Sequence, residues 1–214
     1  MKMERYEIGS LFERYPVLEV CRREILGALQ IWIECYRQGG KILLCGNGGS
    51  CADCDHIVGE LMKGFLSKRP LGKDETEALR KSGVEDAEGF AAMLQGSLPA
   101  ISLPAQAAIL SAFVNDVSAD FAYAQLVNGY AKPEDVLVCI STSGNAVNCA
   151  NAAQMAKAKG VRTVALTGQR ESKLSRICDL TIRVPETETY RVQELHLPVY
   201  HALCAGTEAA LFPN

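Results

Sequence analysis

Gly46-Asn47-Gly48-Gly49-Ser50 and Ser141-Thr142-Ser143-Gly144-Asn145 are the two segments whose residue types could hold an anion. Each follows a short apolar run and precedes a stretch that can be helical. Glycines there can turn the chain sharply, leaving backbone N–H groups aimed at a ligand from the positive end of a helix. Ser50 adds one hydroxyl to the first segment, and Ser141, Thr142 and Ser143 add three to the second. The first lacks the Lys-Ser/Thr ending of a P-loop and, alone, reads equally as a plain strand-to-helix turn. The second could also cap its helix through Ser143 or Asn145, a use compatible with phosphate because both occupy the same helix end. Two such loops in one sheet point to a phosphorylated small molecule.

His56 and Glu60 stand four apart on the helix that opens at the first loop. They project from one face and could hold a metal ion or act as a proton-transfer pair. A lone histidine on a helix is more often packed or surface-exposed, and the chain has three: His56, His196 and His201. Cys51 and Cys54 form a CxxC on the same helix. With no second such pair they read as core thiols and not a zinc knuckle.

The elements that must position these residues follow from periodicity. Apolar residues recur at helical spacing from about Tyr6 to Arg37, broken by Pro16 and stopped by Gly39-Gly40. Five apolar runs (41–46, 99–103, 135–141, 162–167 and 180–184) alternate with helical stretches, which predicts an α/β fold with a five-stranded parallel sheet covered on both faces. Ligands sit beyond the carboxyl ends of such strands, where both loops lie. A last helix is expected over Thr189 to Leu211, with Pro198 inside it removing one backbone bond and bending it. The charged stretch 67–97 fits two short helices around Gly83. It reads as a solvated surface elaboration, with a lid over the site as the sharper alternative.

At 214 residues the chain suits one domain, 1–214, with N-terminal helices over 1–40. Hydrophobic residues at 48% and charged ones at 22% are ordinary globular values, and no run of about 18 apolar residues could span a bilayer. The charged opening lacks the pattern of a secretory signal, so a cytoplasmic location is expected. Nine cysteines fit reduced, buried thiols, with Cys139, Cys149, Cys178 and Cys204 as examples. A net charge of −3 argues against sequence-independent nucleic-acid binding.

Taken jointly and in order, CGNGGS, DHIVGEL, VND, ISTSGN, ALTG and RVQELHLPVYH resemble the phosphoheptose isomerases of the SIS (sugar isomerase) superfamily. The resemblance covers nearly the whole chain except 67–97. It implies a three-layer αβα sandwich of flavodoxin-like type and interconversion of sedoheptulose 7-phosphate with D-glycero-D-manno-heptose 7-phosphate through an enediol. It further implies zinc held by His56, Glu60, Gln193 and His201, with Glu60 and His201 also acid and base. Substrate contacts are implied at Asn47, Gly48, Gly49, Ser50, Asp116, Ser141, Thr142, Ser143 and Gln193, in a homotetramer with sites between subunits. Gln193 and His201 are eight apart, about 12 Å along a regular helix, so joint ligation calls for helix distortion or a second subunit.

The chain departs from the family pattern at Ala146, where a serine is usual, and at Lys63-Gly64-Phe65, where Gly-Arg-Phe is usual. One hydroxyl and one sugar-binding arginine are thereby lost, with Lys63 or Arg69 as candidate stand-in cations. These departures motivate an alternative, a non-catalytic SIS module similar to the replication-initiator-associated members. Retention of His56, Glu60, Gln193 and His201 favours the enzyme.

Overall fold

The structure, a computed structural model, describes residues 2–213, with side chains over 8–213. Met1, Asn214 and the side chain of Tyr6, which the expected domain limits and first helix include, lie outside these. In chain order the elements are α1 (Lys2–Arg14), a 3-10 segment (Pro16–Cys21), α2 (Arg22–Arg37), β1 (Ile42–Gly46), α3 (Gly49–Met62), α4 (Lys73–Lys81), α5 (Ala87–Ala92) and β2 (Ala100–Ser102). There follow α6 (Ala107–Asp116), a 3-10 turn (Ala119–Phe121), α7 (Ala122–Tyr130), β3 (Val136–Ile140), α8 (Val147–Ala158), β4 (Arg162–Thr167), α9 (Lys173–Ile177), β5 (Leu180–Arg183) and α10 (Thr189–Leu211).

All five expected strands form, in one parallel sheet of order β2-β1-β3-β4-β5. β1 and β3 are buried at every position, because helices cover both faces. Period-two alternation divides their side chains between two cores. Ile42, Leu44, Val136, Val138 and Ile140 face one core, with Trp32 of α2, Ile57 of α3 and Leu203 of α10. Leu43, Cys45, Leu137 and Cys139 face the other, with Val127 of α7 and the alanines of α8. The order reverses between β1 and β3, the switch point where a crevice opens at the strand ends in such sheets.

Pro16 separates the opening helices as expected, sitting at the start of the 3-10 segment where its missing N–H costs nothing. α10 continues unbroken through Pro198. The nine cysteines are free thiols; Cys139, Cys149 and Cys204 are buried, while Cys178 and Cys51 are only half-buried.

The charged stretch folds as two short helices, α4 and α5, turned by Gly83 at φ +91°. α4 buries no residue, and Arg80 bridges Glu77 and Glu88 within the hairpin. This supports the surface elaboration over the lid. Arg69 corrects the reading of that stretch as solvated and of itself as a stand-in cation. It is 1% exposed. Its guanidinium donates to Glu208 Oε1 (2.6 Å), Leu61 O (2.6 Å) and Glu60 O (3.2 Å). Glu208 in turn accepts the N–H groups of Phe65, Leu66 and Ser67. The pair therefore ties the end of α3 to the end of α10.

His196 of α10 is fully buried, and neither ring nitrogen has a hydrogen-bond partner of ordinary geometry. Burial holds it down to about 4, the Thr167 backbone offsetting only part of that. Below the ordinary value of 6.5 the unfolded chain takes up a proton that the folded chain refuses. Stability is thus full above pH 6.5 and falls as pH drops toward 4, by about 3 kcal/mol in all. Urea unfolding between pH 7 and 4.5 checks this: His196→Gln should flatten the slope, and equal slopes in both proteins would refute it.

Candidate active site

The first loop leaves β1 and the second leaves β3, neighbouring strands in which Gly46 pairs with Ile140. The sheet alone therefore sets the two loops side by side. A pair of side-chain amides locks them: Asn47 Nδ2 donates to Asn148 Oδ1 (2.9 Å), and Asn148 Nδ2 donates back to Asn47 Oδ1 (3.0 Å). Tyr123 of α7 holds the first loop from beneath, donating to Gly46 O (2.8 Å). Gly48 at φ +56° and Gly144 at φ +65° make the turns, and a Cβ on Gly144 would stand 2.1 Å from Ser172 Oγ. Neither could be another residue without strain.

α3 and α8 open from these loops without any side-chain cap. In the first turn of α3, Ser50 N and Cys51 N bond back to Asn47 O (3.1 Å) and Gly48 O (3.0 Å), and in α8 Cys149 N bonds to Asn148 Oδ1 (2.9 Å); the first N–H of each helix has no partner within the helix. Ser143 and Asn145 do not cap α8, contrary to one expectation; Ala146 occupies that position. Asn145 instead accepts from Lys173 N at the start of α9 (3.0 Å). The hydroxyl of Ser143, which accepts only its own loop's Asn145 N–H, stays exposed. Ser50 and Ser141 are buried at the loop bases.

α10 lies alongside α3 with the same polarity, contact by contact. Gln193 sits against Gly49, where a Cβ would be 2.3 Å from its Nε2. Tyr200 meets Asp53 and His56, His201 meets His56, and Glu208 meets the segment after α3. This register gathers His56, Glu60 and His201. His56 Nε2 is 3.2 Å from Glu60 Oε1 and 3.5 Å from His201 Nε2. The two imidazoles meet edge to face, with centroids 4.9 Å apart, and Phe65 lies against His201 at 5.6 Å. Burial first, then the neighbouring His56, holds His201 below the usual histidine range, so it is neutral at pH 7. A cleft of about 300 Å³ opens beside His201, between Leu11 and Arg14 of α1 and Pro198 of α10.

These distances bear on a metal. Ligands about 2.05 Å from zinc in a tetrahedron stand about 3.3 Å from one another, and the two separations above match that edge. The donors are the nitrogen and oxygen types zinc takes. The third side stays open, since among the described residues no three or more His, Cys, Asp or Glu side chains close around one point. Gln193, the fourth residue of the expected set, lies at the loop end against Gly49 and makes no hydrogen bond to this group within the chain.

Asp116 is likewise not brought to the loops by any contact of its side chain: it is exposed at the end of α6, and its carboxylate accepts from Asn115 (2.8 Å). Lys63, the remaining stand-in cation, is exposed and 3.3 Å from Glu60 Oε2. Sequence reasoning missed Asp53, Tyr200, Tyr123 and Asn148. Asp53 three residues before His56, and Tyr200 next to His201, carried a faint signal in their spacing.

Comparison with known proteins decides the family. SIS-domain family models match residues 99–205 and 7–94. A curated phosphoheptose isomerase from Rhodospirillum rubrum is 35% identical over 191 residues, 89% of this chain and 88% of its own. The chain belongs to the phosphoheptose isomerase family of SIS-domain proteins. Another member, from Aneurinibacillus thermoaerophilus, is 37% identical over 85% of this chain and 79% of its own. Solved phosphoheptose isomerases share the fold. That from Neisseria gonorrhoeae has a TM-score of 0.73 at 27% identity over 94% of each chain, and that from Francisella tularensis 0.74 at 26% over 96% of each. Family membership covers the loop pair and the imidazole group together, because the matched segments contain both.

Proposed function

We propose that this protein is a sugar-phosphate aldose–ketose isomerase that converts sedoheptulose 7-phosphate to D-glycero-D-manno-heptose 7-phosphate with zinc as cofactor. The observation that carries the reading is that His56 Nε2 lies 3.2 Å from Glu60 Oε1, on the helix that starts at a phosphate-type loop, and 3.5 Å from His201 Nε2 of α10. Nitrogen and oxygen atoms 3.2 and 3.5 Å from His56 Nε2 call for a proton or a cation between them. His56, Glu60 and His201 would hold the metal. When bound, zinc stabilises negative charge developing on the substrate oxygens.

The chain's own groups do the rest. The paired loops and the uncapped starts of α3 and α8 bind the phosphate and fix one end of the sugar. Glu60 takes the proton from the carbon beside the carbonyl, giving an enediol, and returns a proton to the neighbouring carbon; His201, neutral at pH 7, moves the hydroxyl proton between the two oxygens. Asn148 keeps the loops together, so the phosphate site exists before ligand arrives.

A homotetramer is part of this proposal. α6 is apolar yet buries none of its residues, and Ile109, Val114, Val117 and Phe121 are exposed along that region, a patch suited to a second copy. Purified protein supplied with zinc and sedoheptulose 7-phosphate should form the aldose by NMR, and light scattering should report four copies. Absence of turnover would remove the heptose assignment; a single copy would remove the assembly.

A further inference from the structure

Asp53, Tyr200 and His56 form a chain of two hydrogen bonds whose direction can be worked out from proton supply. Tyr200 Oη donates to Asp53 Oδ1 (3.2 Å) and stands 2.9 Å from His56 Nδ1. An ionised carboxylate only accepts, and a phenol has one proton. With that proton committed to Asp53, Tyr200 can only accept from His56, so Nδ1 carries the imidazole proton. Nε2 is left as a lone pair, and it is the nitrogen that faces Glu60 Oε1 and His201 Nε2.

We propose that Tyr200, anchored by Asp53, is a positioning residue that fixes His56 in the one tautomer and ring orientation able to offer Nε2 to zinc. The proposal rests on the metal reading above. Burial supports it: Tyr200 is 1% exposed, and its ring meets His56 and His201 edge-on at 5.5 and 5.0 Å, so one side chain orients both imidazoles. Asp53 Oδ2 is buried without a hydrogen-bond partner, leaving Tyr200 as this carboxylate's one hydrogen bond. A half-satisfied carboxylate is a poor device for stability alone, where an apolar pair of similar volume would serve as well or better. It is a good device for orienting a metal-binding histidine, where a carboxylate reached through a hydrogen bond sets the tautomer and raises ligand basicity.

The test uses the full chain with Tyr200→Phe, and Asp53→Asn as a second variant in case the first fails to fold. Nitrogen-15 NMR of the metal-free protein near pH 8, where histidines are neutral, should show His56 protonated at Nδ1, with the preference lost in Tyr200→Phe. Zinc affinity, by competition with a chelating dye, should fall about 10–100-fold, and kcat should fall with little change in KM. An Nε2-protonated His56 in the unaltered protein overturns the proposal, as does unchanged zinc affinity in a folded Tyr200→Phe. Failure of the unaltered chain to bind zinc overturns the metal reading itself, whatever the tautomer.

Discussion

Glu60→Gln is expected to lower kcat of the isomerisation by roughly 10²–10⁴-fold, the usual worth of a positioned general base, while leaving the fold intact. The amide keeps the shape of the carboxylate but cannot take a proton from carbon at neutral pH. The fold should survive because the Glu60 carboxylate's polar partners are His56 Nε2 at 3.2 Å and Lys63 Nζ at 3.3 Å, neither of them core, and glutamine fills the same volume. Its backbone carbonyl, which Arg69 does use, is unchanged by the substitution. Steady-state kinetics beside a thermal melt measure both halves. A variant retaining more than about a tenth of the activity would lie below the range of general-base effects and remove Glu60 from that role.

Arg69→Met is expected to cost roughly 3–5 kcal/mol, the range for removing one partner of a buried ion pair, and to lower Tm on the order of 10 °C. Glu208 would keep three backbone N–H donors but lose the countercharge in a site 2% exposed. The exposed bridges of Arg80 should contribute little by comparison, since water screens them. Burial alone would raise the Glu208 carboxyl; the N–H groups of Phe65 and Leu66 and the Arg69 guanidinium outweigh it and hold it below the ordinary range. This contribution is present above the unfolded carboxylate value and lost as pH falls through the lowered one. Its window therefore lies below that of His196, and a pH series separates the two. A melt of Arg69→Met within about 2 °C of the unaltered protein would show that the pair contributes far less than its burial implies.

The sheet was legible because its strands are short apolar runs bounded by Gly, Pro and Asp, and a parallel sheet buried on both faces leaves that mark at each strand. Pro16 and Gly83 showed where helices stop, since their backbone preferences act locally. The loops were legible for the same reason. His56 and Glu60 could be paired through helical spacing, but the Asp53–Tyr200–His56 chain and the burial of Arg69 could not. Both depend on how far α10 is slid along α3, a tertiary register that no local pattern encodes. Arg69 illustrates the point: within a run of exposed charges, only Glu208, 139 residues away in sequence, marks it as interior. Gln193 shows the converse, because family likeness joins it to His201 while the unbroken run of α10 parts them.

That parting makes α10 a caliper. Gln193 touches the loop end of the site and His201 the imidazole end, about 12 Å apart along one helix, and α3 beside it spans about 10.5 Å from Gly49 to His56. On the proposed reading, the span between phosphate and reacting carbons is gauged by two rigid rods, with no loop needed to adapt. On that reading a triose phosphate would be too short to reach both jaws. The enzyme would then choose among phosphosugars by chain length before any hydroxyl is read.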